Sequence, residues 1–75
     1  MEINIHIGRL IQLKLEEQGR TASWLAEKAG WPRSYIYKRL KRSNIQSNQL
    51  FAISEILEFN FFSYYSDLLE KHLQD

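Results

Sequence analysis

The chain of 75 residues carries a net charge of +1, contains no cysteine and is 44% hydrophobic by residue type. Its length allows a single domain, of a size that buries only about 60% of the surface of its unfolded chain, so a partner subunit would add stability. The lack of cysteine excludes disulfide frameworks, zinc fingers and iron–sulfur sites, and favours the cytoplasm as a reducing compartment. No apolar run approaches the roughly 18 residues of a membrane span, so no membrane partner is expected.

Five short helices and no strand are predicted from apolar residues that recur at helical spacing. The predicted helices cover about residues 5–18, 22–29, 32–41, 47–58 and 61–73. The expected fold class is therefore all-α, a compact bundle of about five short helices in one domain over residues 1–75. The apolar stripe of the first helix contains Ile7, Leu10, Ile11, Leu13 and Leu15, with Lys14 among them.

Residues with special backbone or capping preferences separate these helices. Thr21 is a candidate N-cap, and Gly19 and Gly30 suit helix C-termini because glycine adopts positive φ without steric cost. Pro32 is expected at the first helical position of the third helix. The expected caps of the last two helices are Gln46 or Ser47, and Asn60.

Residues 21–40 have the layout of a helix-turn-helix, which we predict over about residues 21–41. Two helices that cross through a tight turn need a small residue where their backbones approach, which Ala26 supplies, and a turn residue with positive φ, which Gly30 supplies. Trp31 is expected in the core between the helices, and Trp24 is expected to pack over the first helix.

The stretches GRTASWLAEKAG and RSYIYKRLKR resemble the Cro/C1-type (XRE) helix-turn-helix regulators, and NQLFAISEIL resembles their fourth helix. The resemblance covers about residues 7–58 and is greatest for small members common in Bacteroidetes. It implies a lambda-repressor-like DNA-binding domain in a bacterial transcription regulator. Two positions depart from the family pattern. Ala22 replaces a glutamine that bonds a phosphate and braces the recognition helix, and Arg39 replaces an apolar residue.

Double-stranded DNA is the partner that this resemblance implies, and the middle of the chain has the charge to suit it. Residues 28–54 hold six lysines and arginines and no acid, whereas residues 1–27 sum to −1 and residues 55–75 to −4. Such a basic segment favours a polyanion, although a solvated helix face is the alternative interpretation.

The third helix is the expected reader, because an α-helix fits the major groove and its N-terminal residues meet the base edges. The predicted base-reading residues are Arg33, Ser34, Tyr35 and Lys38. Residues that follow this helix or that begin the second helix are placed for phosphates instead, as is Tyr37, which points to another side of the third helix. The predicted phosphate contacts are Thr21, Ala22, Tyr37, Lys41, Arg42, Ser43 and Asn44.

The C-terminal helix, about residues 61–73, is unusually aromatic and is a possible dimer element. Its aromatic side chains either close the core or leave apolar area for a second copy of the chain. The candidate residues of a homodimer interface are Phe61, Phe62, Tyr65 and Leu69.

No cofactor, metal or small-molecule substrate is predicted, and the chain is not expected to be an enzyme. His6 and His72 lie far apart in sequence, and each is expected at the surface or at a helix cap. A chain this short has little room for a substrate cleft. The alternative function is a protein-interaction module, such as the antitoxin of a toxin–antitoxin pair, which the departures at Ala22 and Arg39 and the C-terminal aromatic residues motivate.

Overall fold

The computed structural model describes residues 4–74, and within them the chain forms five α-helices and no strand. The helices are α1 (Ile7–Glu17), α2 (Ala22–Ala29), α3 (Arg33–Leu40), α4 (Ser47–Leu57) and α5 (Phe62–Leu73). The all-α class is thereby confirmed, and each predicted boundary lies within two residues of the observed one. In this part of the chain no helix has the length and hydropathy that crossing a membrane requires.

One apolar cluster holds the helices together, and among residues 4–74 no polar or charged side chain is fully buried in it. The main packing contacts are those of α2 with α3, of α1 with α3, and of α2 with α4. The cluster contains Ile7, Ile11, Leu15, Leu25, Ala26, Ile36, Leu40, Leu50, Ile53, Leu57 and Phe61. The helix-turn-helix therefore rests on both α1 and α4.

The first helix begins at Ile7 instead of residue 5 because His6 caps it. The Nδ1 atom of His6 accepts a hydrogen bond from the Arg9 N–H at 3.1 Å, which satisfies one donor of the first turn. His6 was expected at the surface or at a helix cap, and its side chain is exposed and also caps α1. Beyond the helix, Gly19 has φ +69°, as its place after α1 predicts.

Two residues of the predicted stripe on α1 behave differently from an apolar core. Leu13 is 44% exposed, so its assignment to the buried stripe is wrong. Lys14 has a side chain that is only 16% exposed, and its Nζ lies 4.0 Å from the ring centroid of Phe59 and 3.0 Å from Glu17 Oε2. The lysine thus packs its stem against the core and keeps its charge paired at the edge.

Two further boundaries differ in detail from the prediction, and a third agrees with it. Pro32 is the residue before α3, with extended backbone (ψ 146°), instead of its first helical residue. Gln46 precedes α4 but makes no side-chain cap, and Glu58, the residue after α4, has φ 52°. Asn60 does cap the start of α5, since its Oδ1 accepts from the Phe62 N–H at 3.0 Å.

Candidate nucleic-acid interface

The angle between α2 and α3 is fixed by backbone geometry at both ends of α2. Thr21 Oγ1 accepts from the Trp24 N–H at 3.0 Å, which begins α2 at the predicted cap. Gly30 adopts φ +75°, and the next N–H, of Trp31, donates to Ala26 O at 2.9 Å. This glycine C-cap turns the chain directly into α3, and Ala26 is buried in the core as predicted.

The third helix buries one narrow edge and exposes most of its surface. Ile36 and Leu40 are its only buried residues. Beside this edge, four other residues of the helix are all exposed: Arg33, Ser34, Tyr37 and Lys38. Their spacing of one, three and four residues places them on one outward face of the helix. We call these four residues the α3 outer face.

Tyr35, a predicted base reader, lies outside this face. Its hydroxyl accepts a hydrogen bond from Gln49 Nε2 of α4. Its ring meets Trp31 edge-to-face at 5.5 Å between centroids, and the Arg39 guanidinium lies 4.7 Å from the ring centroid. Tyr35 therefore joins α3 to α4 and to the turn, and its hydroxyl is already engaged.

Tyr37, a predicted phosphate contact, is 49% exposed and reaches toward α2. Its hydroxyl oxygen lies 3.2 Å from Ser23 Oγ, a hydrogen bond in which either group can donate. This pair links the exposed sides of α2 and α3. Neither Ser23 nor Gln49 was predicted as a site residue, because a hydrogen bond between helices leaves no local sequence signal.

The predicted phosphate contacts other than Thr21, the N-cap of α2, lie after α3 or in a groove beside α2, and Lys41 belongs to both places. Lys41, Arg42, Ser43 and Asn44 are all exposed in the segment after α3, which we call the basic loop. Ala22, Tyr37 and Lys41 line an open groove between α1, α2 and α3. Arg20 and Glu16 line the same groove, and Arg20 was not predicted there.

The cations of residues 28–54 carry no paired acid. In the part of the chain that the structure describes, the one salt bridge joins Lys14 to Glu17, outside this segment. Arg39 is stacked on Tyr35, which leaves Lys28, Arg33, Lys38, Lys41 and Arg42 exposed. Among the described residues, the cations of the α3 outer face and the basic loop therefore form no ion pair with an acidic side chain.

The two tryptophans of the motif are half-buried, and both pack against the core cluster. Trp31 was expected within the core, but its ring lies at the edge of the core against Tyr35. The ring of Trp24 carries the Arg20 guanidinium 4.4 Å from its centroid. Both rings thus cover the surface of the helix-turn-helix instead of filling the angle between its helices.

The candidate dimer residues separate into buried and accessible ones. Phe61 is completely buried and meets Phe59 edge-to-face at 4.9 Å, so it belongs to the core of its own chain and offers no surface to a partner. Phe62 and Tyr65 are half-buried, and Leu69 is 58% exposed. Burial raises the pKa of the Tyr65 hydroxyl by desolvation.

A small-residue turn, a short helix with a basic outer face and a second helix braced against it define a helix-turn-helix domain. Among residues 4–74 no group of three His, Asp or Glu side chains is placed to hold a metal ion.

The crystal structure of SinR, the master regulator for biofilm formation, in complex with DNA is similar to the chain, with a TM-score of 0.67 and 30% sequence identity. The match covers 79% of this chain and 97% of that one. The chain belongs to the helix-turn-helix family of DNA-binding regulators that SinR represents. No protein-family model matches the chain, and no curated protein matches it in sequence.

Proposed function

We propose that the chain is a Cro/C1-type transcription regulator of the bacterial cytoplasm that binds double-stranded DNA with α3 in the major groove. The observation that carries the proposal is the α3 outer face, which combines two exposed cations with hydrogen-bonding side chains. The match to SinR, a regulator described in complex with DNA, supports the same assignment. In this proposal the chain is a single binding domain and has no enzymatic activity.

Base reading is assigned to Arg33, Ser34 and Lys38. Arg33 is the first residue of α3, and its guanidinium matches the O6 and N7 acceptors of guanine with two parallel hydrogen bonds. Lys38 lies one turn further along and can donate to guanine or to a phosphate. Because the Tyr35 hydroxyl is held by Gln49, we assign Tyr35 the role of holding α3 against α4 instead of reading a base.

Phosphate binding is assigned to the basic loop and to the start of α2. The loop supplies two charged and two neutral hydrogen-bonding side chains, all exposed. Thr21 and Ala22 begin α2, where free N–H groups favour an anion. Tyr37 and Lys41 line the groove next to Ala22, so a phosphate at this point meets charge and N–H donors together.

A selection from random duplex DNA at about 100–150 mM salt tests the proposal, because salt at this level suppresses purely electrostatic binding. We expect a preferred sequence to be enriched. Recovery of no sequence by the folded protein would contradict the proposal. A protein that co-purifies stably with the chain would then favour the interaction module.

Lys41→Ala is expected to weaken binding to every duplex by a similar factor, because a phosphate contact carries no sequence information. The slope of log K against log salt should become shallower by about 1. Titrations at four salt concentrations measure this slope. Lys71→Ala, which removes the same charge from α5, is the control and should leave the slope unchanged. Equal effects of the two substitutions would remove the basic loop from the interface.

The regulator is proposed to act as a homodimer through the exposed apolar side of α5. Leu69 and Leu73 are 58% and 75% exposed, which is unusual for leucines of an amphipathic helix without a partner. Two copies related by a two-fold axis would read half-sites about 34 Å apart, one turn of DNA. A pseudo-palindrome recovered in the selection would support this arrangement.

Leu69→Asp tests the dimer, because burying a carboxylate at an apolar interface is costly. We expect sedimentation equilibrium to show a higher dimer dissociation constant for the variant than for the wild type. Binding to a duplex with two half-sites should weaken, while binding to a single half-site stays unchanged. Leu13→Asp is the control, since Leu13 is an exposed leucine on α1. A wild-type chain that stays monomeric at millimolar concentration would rule out the dimer.

A further inference from the structure

The backbone of the basic loop is held by the N-terminus of α1. The Gly8 N–H donates to Arg42 O at 3.2 Å, and the Ile7 N–H donates to Ser43 O at 3.0 Å. Both donors belong to the first turn of α1, whose N–H groups have no partner inside the helix. The approach is close, since a Cβ at Gly8 would lie 2.3 Å from Leu40 O and 2.5 Å from Arg42 O.

A third bond to the same segment comes from a side chain. Gln12, one turn further along α1, donates from Nε2 to Leu40 O at 2.8 Å, and this bond is partly buried. Leu40 is the last residue of α3, so its carbonyl has no acceptor role within its own helix. The carbonyls of Leu40, Arg42 and Ser43 are thus all held by α1.

We infer that Gln12 is a positioning residue for binding of the DNA backbone. It holds the start of the basic loop in one conformation in the free protein, so that Lys41 and Arg42 reach phosphates without first being ordered. Ordering a loop on binding reduces affinity, and a loop that is already ordered avoids that loss. This inference rests on the proposed function, because it concerns the same DNA interface.

The same helix contains a matched control for this bond. Gln18 Nε2 donates to Leu57 O at 2.9 Å, again to the last residue of another helix and again partly buried. The two glutamines make equivalent bonds, one from the middle of α1 and one from its C-cap. Of the two, only Gln12 bonds the residue that immediately precedes the basic loop, so the pair separates a positioning role from a general contribution to stability.

The test compares Gln12→Met with Gln18→Met, which keep side-chain length and remove the donor. We expect both variants to lower the Tm by similar amounts. Well below either Tm, Gln12→Met should weaken binding to specific and random duplexes alike by about three- to tenfold, the equivalent of one hydrogen bond. Gln18→Met should bind within about twofold of the wild type, inside the error of such comparisons.

Amide hydrogen exchange within the basic loop gives a second measurement, which a change in the global stability alone would not alter. Exchange at residues 41–44 should be faster in Gln12→Met than in Gln18→Met at matched stability. If Gln12→Met does not fold, Gln12→Leu removes the same donor and replaces it in the comparison. Equal DNA affinities and equal loop exchange for the two sites would overturn the inference, whereas a wild-type chain that binds no DNA would overturn the proposed function itself.

Discussion

Arg33→Ala is expected to weaken binding to the preferred duplex by about 1–3 kcal/mol, roughly 5- to 150-fold, and to relax the preference at one base pair. The reason is that a guanine left without its bidentate donor is no longer distinguished from the other bases. Because the Arg33 side chain is exposed, its removal should change the free energy of unfolding by less than about 0.5 kcal/mol. Fluorescence anisotropy on the preferred duplex and its single-base variants measures both effects.

The control for this experiment is Arg9→Ala, which removes an exposed arginine from α1, outside the α3 outer face. Arg9→Ala should leave both the affinity and the ranking of the variant duplexes unchanged. If Arg33→Ala bound the preferred duplex as tightly as the wild type, α3 would not be the reading helix. A uniform loss on all duplexes would instead reassign Arg33 to a phosphate.

Gly8→Ala is expected to destabilise the fold, although alanine is favoured over glycine in a helix by about 1 kcal/mol. The new Cβ would lie 2.3 Å from Leu40 O and 2.5 Å from Arg42 O, and both are backbone atoms that side-chain rotation cannot move. Overpacking of this kind costs about 1–3 kcal/mol or more, and each net kcal/mol lowers the Tm of a domain this small by about 4–8 °C. Thermal unfolding followed by circular dichroism measures the change.

The comparison for Gly8→Ala is Gly19→Ala, where no atom lies within 4 Å of the added Cβ and only the positive φ opposes it. That substitution should cost about 1–2 kcal/mol of left-handed strain and leave DNA affinity unaltered. Gly8→Ala should also displace the basic loop and so reduce affinity for every duplex. A higher Tm for Gly8→Ala would show that α1 does not approach the loop so closely.

Sequence patterns located the helices of this chain because the signals that define them are local. Apolar spacing marked each helix, and Thr21, Gly30 and Asn60 carry out the capping or turning roles expected of them. The motif between Thr21 and Leu40 was therefore predictable almost to the residue. The start of α3 is also set by local chemistry, because Pro32 cannot continue a helix and so keeps α2 and α3 separate.

The orientation of the two tyrosines on α3 was not predictable. Ile36 and Leu40 mark the buried edge, and Tyr35 and Tyr37 each lie about 100° from Ile36, on opposite sides. The helical period alone therefore predicts equivalent positions for the two tyrosines, at equal distances from the buried edge. Only the position of α4 beside one flank and α2 beside the other decides that Tyr35 meets Gln49 and Tyr37 meets Ser23.

Contacts between distant segments were missed for the same reason. Phe61 lies in a run of aromatic residues, and nothing in that run distinguishes the fully buried ring from the half-buried Phe62. Nothing in the sequence distinguishes Gly8 from another glycine within a helix. Only the folded structure shows Arg42 and Ser43 next to the start of α1. Leu13 fits the apolar stripe in sequence, yet the packing of residues 4–74 leaves it 44% exposed.

The narrow buried edge of α3 separates the residues that keep the chain folded from those that we propose read DNA. Only Ile36 and Leu40 of the eight residues of this helix enter the core. Arg33, Ser34 and Lys38 can therefore be exchanged for other side chains at little cost in stability. In the proposed role of these three residues, such a scaffold suits diversification: new binding preferences can arise through single substitutions at these positions, without compensating changes elsewhere in the molecule.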